Sequence, residues 1–357
     1  ALTGGGTNVA IGYQPLYYGT GNSYVVAIGS RAGYNSTADY NVYIGNSAGR
    51  ESQIGAGQVY IGNSAGYYAS GSYNTFMGYN AGKGGTTSAP FSTGNSNVAV
   101  GYGAHDAFTS AEHNVAVGIA SLGNATTGYY NVAIGSHAGL GITTGVENVA
   151  IGRATLYQNS TGIRNTAVGY AAANYGTAGS DITSIGADAG TYATGSYNTF
   201  VGSHAGKGGT TSAPYSSGQN NTALGYKALT GFTTGEQNVA IGSSAASNLT
   251  TGYYNTIVGN GAKSGTTGVN NTMIGRAAGA SMTTAQKITA VGATTFNYLT
   301  AATDSTAIGC DAGEYATGSY NTFVGSLAGQ GGITSAPYSS GINNTGLGYG
   351  TLKGFTT

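Results

Sequence analysis

The stretch GYNAGKGGTT, residues 78–87, invites reading as a phosphate-cradling loop, since glycines around a lysine leave backbone N–H groups free to face an anion. Its spacing is wrong for that task. Three residues rather than four separate Gly78 from Gly82, no Ser or Thr follows Lys83, and Gln330 replaces the lysine in a later copy of the segment. A surface loop is the expectation.

The eleven acids, Asp39, Glu51, Asp106, Glu112, Glu147, Asp181, Asp188, Glu236, Asp304, Asp311 and Glu314, come singly. Glycan hydrolysis needs two carboxyl groups roughly 5–10 Å apart. Asp188 and Asp311 hold equivalent places but lie far apart in the chain, and Asp311 with Glu314 has no further catalytic residue type beside it. These acids read as solubilising charge. His137 and His204 share the context GSHAG, where several chains meeting could gather imidazoles around a metal or an anion; a solvated or hydrogen-bonded His is the simpler reading. Cys310 stands alone, excludes an internal disulfide framework and is expected to fill a small gap. Asn35, Asn124, Asn159 and Asn248 open glycan-acceptor triplets, a weak signal in a chain rich in Asn and Thr. No catalytic residue, cofactor site or metal site emerges from any of these patterns.

Tyrosine is the most suggestive type. Tyr24, Tyr40, Tyr73, Tyr130, Tyr197, Tyr254 and Tyr320 each precede a recurring pentapeptide, while Tyr13, Tyr79, Tyr102, Tyr170, Tyr226 and Tyr349 follow its glycine. The first group is expected to cap a core edge with the hydroxyl in water. Outward tyrosines could also stack on sugars.

That pentapeptide sets the organisation. NVAIG at 8–12 returns at 131–135, 148–152 and 238–242, with variants such as NVYIG (41–45) and NTFVG (198–202), for 20 copies in all. Copies are 16 or 17 residues apart except for three intervals of 23. Position five is always Gly, position four always Ile, Val, Leu or Met, position two always Val or Thr, and position one is Asn in 15 copies. Three residues beyond the Gly, Ala recurs in 15. A fixed short period signals a solenoid. Alternating β-branched residues indicate a strand, and about 17 residues suffice for two short strands and two turns per coil.

Positions two and four are expected to face inward with the recurring Ala, and the small residues at three and five to face outward. Identical positions then stack about 4.8 Å apart, Asn bonding to the next Asn, for a rod of roughly 95 Å. GSYNTF segments at Gly71, Gly195 and Gly318 impose a longer period of 124 and 123 residues, seven coils with one enlarged around GGTTSAP. The organisation is therefore one continuous array over 1–357, with super-repeats at 97–220 and 221–343 and partial ones at 1–96 and 344–357. Both ends cut into a coil, the expectation being a segment of a longer array.

The 357 residues carry no net charge, and only 6% are charged, so nothing here neutralises a nucleic-acid backbone or an acidic membrane. No apolar run is long enough to span a bilayer. A single thin roll buries little, so association of identical chains around an axis is the expected remedy.

NVAIGSHAG (131–139) and VVAIGSRAG (25–33) resemble the repeats of trimeric autotransporter adhesin heads, the YadA-like left-handed parallel β-roll. NTALGYKALTGFTTGEQNVAIG (221–242) is similar to repeats of phage tail-fibre proteins. The resemblance implies a homotrimer. Coils here are longer than the adhesin head's, and an Ala-Gly pair often stands where that family tends to have Ser. The expectation is an all-β parallel solenoid serving as the shaft of an extracellular fibre, at a cell surface or on a virion, not an enzyme and without cofactor. The expected partners are identical chains, with surface glycans or a receptor as further candidates. The alternatives are a polysaccharide-binding or polysaccharide-degrading β-helical tailspike, and an ice-binding solenoid, which needs outward Thr-x-Thr rows.

Overall fold

Every pentapeptide copy forms a three-residue strand at its positions two to four, because β-branched and apolar side chains alternate there and the flanking Asn and Gly end the extended run. The computed structural model describes residues 5–85, 91–211, 215–332, 334–335 and 338–357. They fall into two compact units, Ala1–Ser180 and Asp181–Thr357. The first carries β1 (Val9–Ile11) through β10 (Thr166–Val168), the second β11 (Thr183–Ile185) through β20 (Thr345–Leu347). Within each unit, consecutive strands pair in parallel and in register, as where Val115, Ala116 and Val117 face Val132, Ala133 and Ile134. The protein is an all-β parallel β-solenoid.

Only one strand forms per coil among the described residues. The second expected strand is replaced by turns that still bond from coil to coil. The N–H of Thr109 donates to the carbonyl of Thr126 at 2.9 Å, and that of Thr126 to the carbonyl of Thr143 at 2.9 Å. The three enlarged coils keep register: Thr75 faces Val98, Thr199 faces Thr222, and Thr322 faces Thr345. Bridges such as Ala69–Ser92 and Ala193–Ser216 join the coils on either side of the longer intervals. Most of the expected GGTTSAP loops, at 86–90, 212–214, 333 and 336–337, lies outside the described residues.

The strands face the other way from the sequence expectation. Position three is buried on rung after rung, at Ala27, Tyr43, Tyr60, Phe76, Ala99 and Phe200, whereas positions two and four are half-buried or exposed. The interior is one side chain thick. Two β-branched residues pointing inward from every rung would overfill it, whereas the single inward residue at position three leaves room that the turn can share.

Coil volume is shared among three inward positions: position three, the fourth residue after the motif Gly, and the seventh. Where the strand supplies an aromatic ring, the inward turn residues are small, as in Tyr43 with Gly49 and Ser52, or Phe200 with Gly206. Where it supplies Ala, the turn fills the space, as in Ala116 with Leu122, Ala223 with Leu229 and Phe232, and Ala133 with Ile142. At Gly206 a Cβ would stand 2.1 Å from the Phe200 ring. Motif Gly45 has a different need: at φ +134° its added Cβ would lie 2.4 Å from the carbonyl oxygen of Gly62, one rung on.

Position one turns inward too and forms the expected ladder. Asn131 Nδ2 donates to Asn114 Oδ1 at 3.2 Å, and Asn148 Nδ2 to Asn131 Oδ1 at 3.0 Å. Each amide also donates to a carbonyl of the following turn, Asn131 to Gly145 and Asn148 to Gly162, both at 2.9 Å. The backbone N–H of each Asn donates to the Oδ1 of the Asn before it. Thus the amides of these position-one Asn residues are saturated by their own repetition. Gln58 breaks the pattern for a visible reason: it keeps the turn bond, to Gly71 at 2.5 Å, while its Oε1 accepts from the buried Tyr43 hydroxyl at 2.7 Å. Burial pushes the Tyr43 phenol up to about 12.

His105 occupies a position taken by Leu122 and Leu156 on other coils. It is fully buried and stacks on Phe108 with centroids 5.1 Å apart. Burial lowers its pKa to about 4, from an ordinary value of 6.5. The folded form therefore holds a neutral ring that the unfolded chain protonates sooner.

Two outcomes are expected. Gly206→Leu alone destabilises by overpacking, and Phe200→Ala alone by about 3–5 kcal/mol; the double variant recovers most of that loss in denaturant unfolding, whereas additive penalties refute volume sharing within a coil. The His105 contribution is complete above about pH 6.5 and is lost as pH falls toward 4, for about 3 kcal/mol in all. His105→Leu should accordingly flatten the fall of the thermal midpoint between pH 6.5 and 4, and equal slopes for the two proteins would contradict the assignment.

Candidate functional site

With the interior assigned to small residues, aromatic rings and Asn, the strands present their β-branched side chains to the outside. In the first unit, position two is Val on eight of ten rungs, the exceptions being Thr75 and Thr166; position four is Ile or Val, with Met77 the single departure. In the second unit, position two is Thr on nine of ten rungs, Val239 excepted, beside Ile, Val or Leu at position four. No charged residue stands in either column. Stacking half-covers most of these side chains, yet Ile134, Ile151, Leu224 and Ile274 remain exposed. Ten rungs at about 4.8 Å and two columns make an apolar face of roughly 400–500 Å² in each unit, the size at which exposed patches begin to mark association sites. Outward Thr forms one column of the second unit, but its row partner is aliphatic, so Thr-x-Thr rows do not form.

The tyrosines that precede the motif share the side of positions two and four, and that side is outward. Tyr24, Tyr40, Tyr73, Tyr130, Tyr197, Tyr254 and Tyr320 are all exposed, and their backbone φ lies between 56° and 62°. They cap no core edge. Where two follow on adjacent rungs they stack, Tyr24 on Tyr40 at 5.1 Å with nearly parallel rings. The post-glycine set stays outward as well, and Tyr79 stacks on Tyr102 at 5.3 Å.

Several acids are engaged by bases or polar groups. Asp188 meets His204 Nε2 at 3.5 Å, Asp304 meets Lys287 at 3.7 Å, and Glu51 meets Arg50 at 3.5 Å. Asp311 accepts a hydrogen bond from the Thr294 hydroxyl, and Glu314 accepts from Gln330 Nε2 at 3.0 Å, so these two acids serve different neighbours. Asp39 accepts from the Ser23 N–H at 2.7 Å. His137 and His204 each pair Nδ1 with the preceding serine hydroxyl, at 2.7 and 2.8 Å. Among the described residues no group of three or more His, Cys, Asp or Glu is placed to hold a metal ion.

Cys310 fills no gap. It is exposed at the first position after its motif Gly, a site that points away from the coil, with Sγ 3.5 Å from Asp311 Oδ2. Slight burial and the Asp311 carboxylate push its thiol up, which disfavours the reactive thiolate. Of the glycan-acceptor triplets, Asn159 is buried, its amide donating to Gly176 at 2.7 Å, whereas Asn124 is exposed.

A recess of about 290 Å³ lies over the turns that follow β8 (Val132–Ile134), β9 (Val149–Ile151) and β10, lined by His137, Arg153, Ala154, Tyr157, Asn174 and Tyr175. Sequence reading singled out His137 alone. The rest were hidden because they come from three coils and meet only when the coils stack. No helix among the described residues is long and apolar enough to cross a membrane. Neither protein-family models nor curated proteins match this sequence.

Proposed function

We propose that this chain is a non-enzymatic structural shaft of an extended extracellular fibre, an adhesin-like surface filament or a phage tail fibre, assembled as a homotrimer. The observation that carries the reading is the uncharged column pair of Val or Thr with Ile, Val or Leu on the outward strand face. Such a face costs free energy in water and is stabilised by covering it. A second copy of this chain is the fitting cover, since it presents the same spacing and its side chains can interdigitate rung by rung. The likeness of NVAIGSHAG to trimeric adhesin-head repeats favours three chains around an axis. Rigidity then follows from coil-to-coil hydrogen bonds, and reach from coil number.

Native mass measurement is expected to give three times the chain mass. A monomer at micromolar concentration overturns the reading. Val115 and Val132 are outward and take no part in the core, so the Val115→Glu, Val132→Glu double variant should dissociate the assembly while keeping its β-type circular dichroism. Retention of the trimer by that variant would count against this face as the contact.

A further inference from the structure

The recess over the turns after β8, β9 and β10 has no part in the shaft reading, and none of its residues belongs to a strand. Its chemistry is mixed in a particular way. Arg153 is exposed, its guanidinium carbon lies 5.6 Å from the centroid of the Tyr170 ring, and among the described residues no carboxylate lies within ion-pair distance of it. Tyr157 and Tyr175 add two half-buried rings. Asn174 is held by a bond from Nδ2 to the Ala154 carbonyl at 3.0 Å, and His137 by its 2.7 Å contact with Ser136.

We propose that this recess binds a single carboxylated sugar ring, of the uronic or sialic acid kind. The Arg153 fork matches a carboxylate with two parallel hydrogen bonds, and its stacking on Tyr170 pre-orients the plane. The tyrosine rings offer apolar plates to the C–H faces of a pyranose. Asn174 Oδ1 and the second ring nitrogen of His137 supply polar atoms for sugar hydroxyls. A volume of about 290 Å³ is at the lower end for ligand sites, which suits one ring rather than a chain of them.

The site is specific to this stretch of the array. One long period later, Arg276, Asn297 and Tyr298 stand where Arg153, Asn174 and Tyr175 do, but Gly261 replaces His137 and Ala280 replaces Tyr157. Two of the walls are missing there, so one site per chain is the expectation. Nothing in this assignment depends on the number of chains in the fibre.

Ligand-observed NMR and titration calorimetry on the intact chain test it, with glucuronic acid, N-acetylneuraminic acid, glucose and glucose 6-sulfate as probes. At least one carboxylated sugar should bind with a dissociation constant on the order of 1 mM, and glucose at least tenfold more weakly, roughly the loss of one charge-assisted contact. Arg153→Gln should weaken the acid sugar about tenfold or more with an unchanged thermal midpoint, Tyr157→Ala should also weaken it, and Arg276→Gln should leave it unaltered. Unchanged binding in Arg153→Gln, glucose binding as tightly as the acid sugars, or no binding of either acid overturns the proposal. Glucose 6-sulfate binding as tightly as glucuronic acid overturns the carboxylate assignment in favour of anions at large. Because native mass is measured separately, failure here and failure of the shaft reading are told apart.

Discussion

A coil interior one side chain thick is the constraint on which the rest of this protein depends. Within each unit a coil pairs in register with the next, so no rung can borrow space by shifting along its neighbours. The volume inside one coil must then be filled by that coil's own residues. Tyr43, Tyr60 and Phe76 fill it from the strand on successive rungs, and Tyr60 stacks on Phe76 at 4.9 Å. Leu122, Leu156 and Leu229 fill it from the turn. Both solutions leave the same outer contour, which is why the exterior columns stay uniform while the interior varies.

The same constraint accounts for the polar ladder. An unpaired amide in a repeated inward column would exact its penalty on every rung. Asn meets this by bonding to itself and to the next turn carbonyl. Val25 and Ile288 show what a rung does without Asn: each side chain is buried and apolar, while its N–H still donates to Oδ1 of the preceding Asn at 2.9 Å. Repetition is thus a requirement of burial here and not merely a trace of duplication.

Much of the architecture was legible in sequence. The glycine at position five, the 16–17-residue spacing and the Asn column indicate coils, register and ladder without coordinates, and the 23-residue intervals locate the insertions. The inward face was not legible, because a period-two strand carries two faces and hydrophobicity favoured the wrong one. Val and Ile are the larger apolar residues, but in a narrow roll the inside belongs to whatever fits. The overlooked signal was compensation: a large residue at position three, as in Phe200 or Phe323, coincides with Gly at 206 or 329, while Ala116 and Ala150 coincide with Leu122 and Leu156. A column that varies in size against its neighbours faces a fixed volume; one that keeps its shape, as Val and Ile do, faces a surface. The recess over the turns after β8, β9 and β10 was hidden for another reason, since Arg153, Tyr157 and Asn174 share no local motif and become neighbours only by stacking.

The two outward columns extend that logic to assembly. Val and Thr are nearly the same shape, so exchanging the Val column of the first unit for the Thr column of the second keeps the contour and changes only polarity. Shape is what an in-register partner requires, and polarity sets how strongly the face resists water. A face of Val beside Ile is stabilised chiefly by becoming dry. Thr beside Val or Ile keeps a hydroxyl that must find a partner once covered, either a neighbouring hydroxyl or a carbonyl. Covering the first unit is therefore the more favourable step per unit area, and covering the second is the more selective, because a misaligned partner leaves hydroxyls unpaired. In the proposed assembly, contact strength and register control would thereby fall to different stretches of one repeating chain.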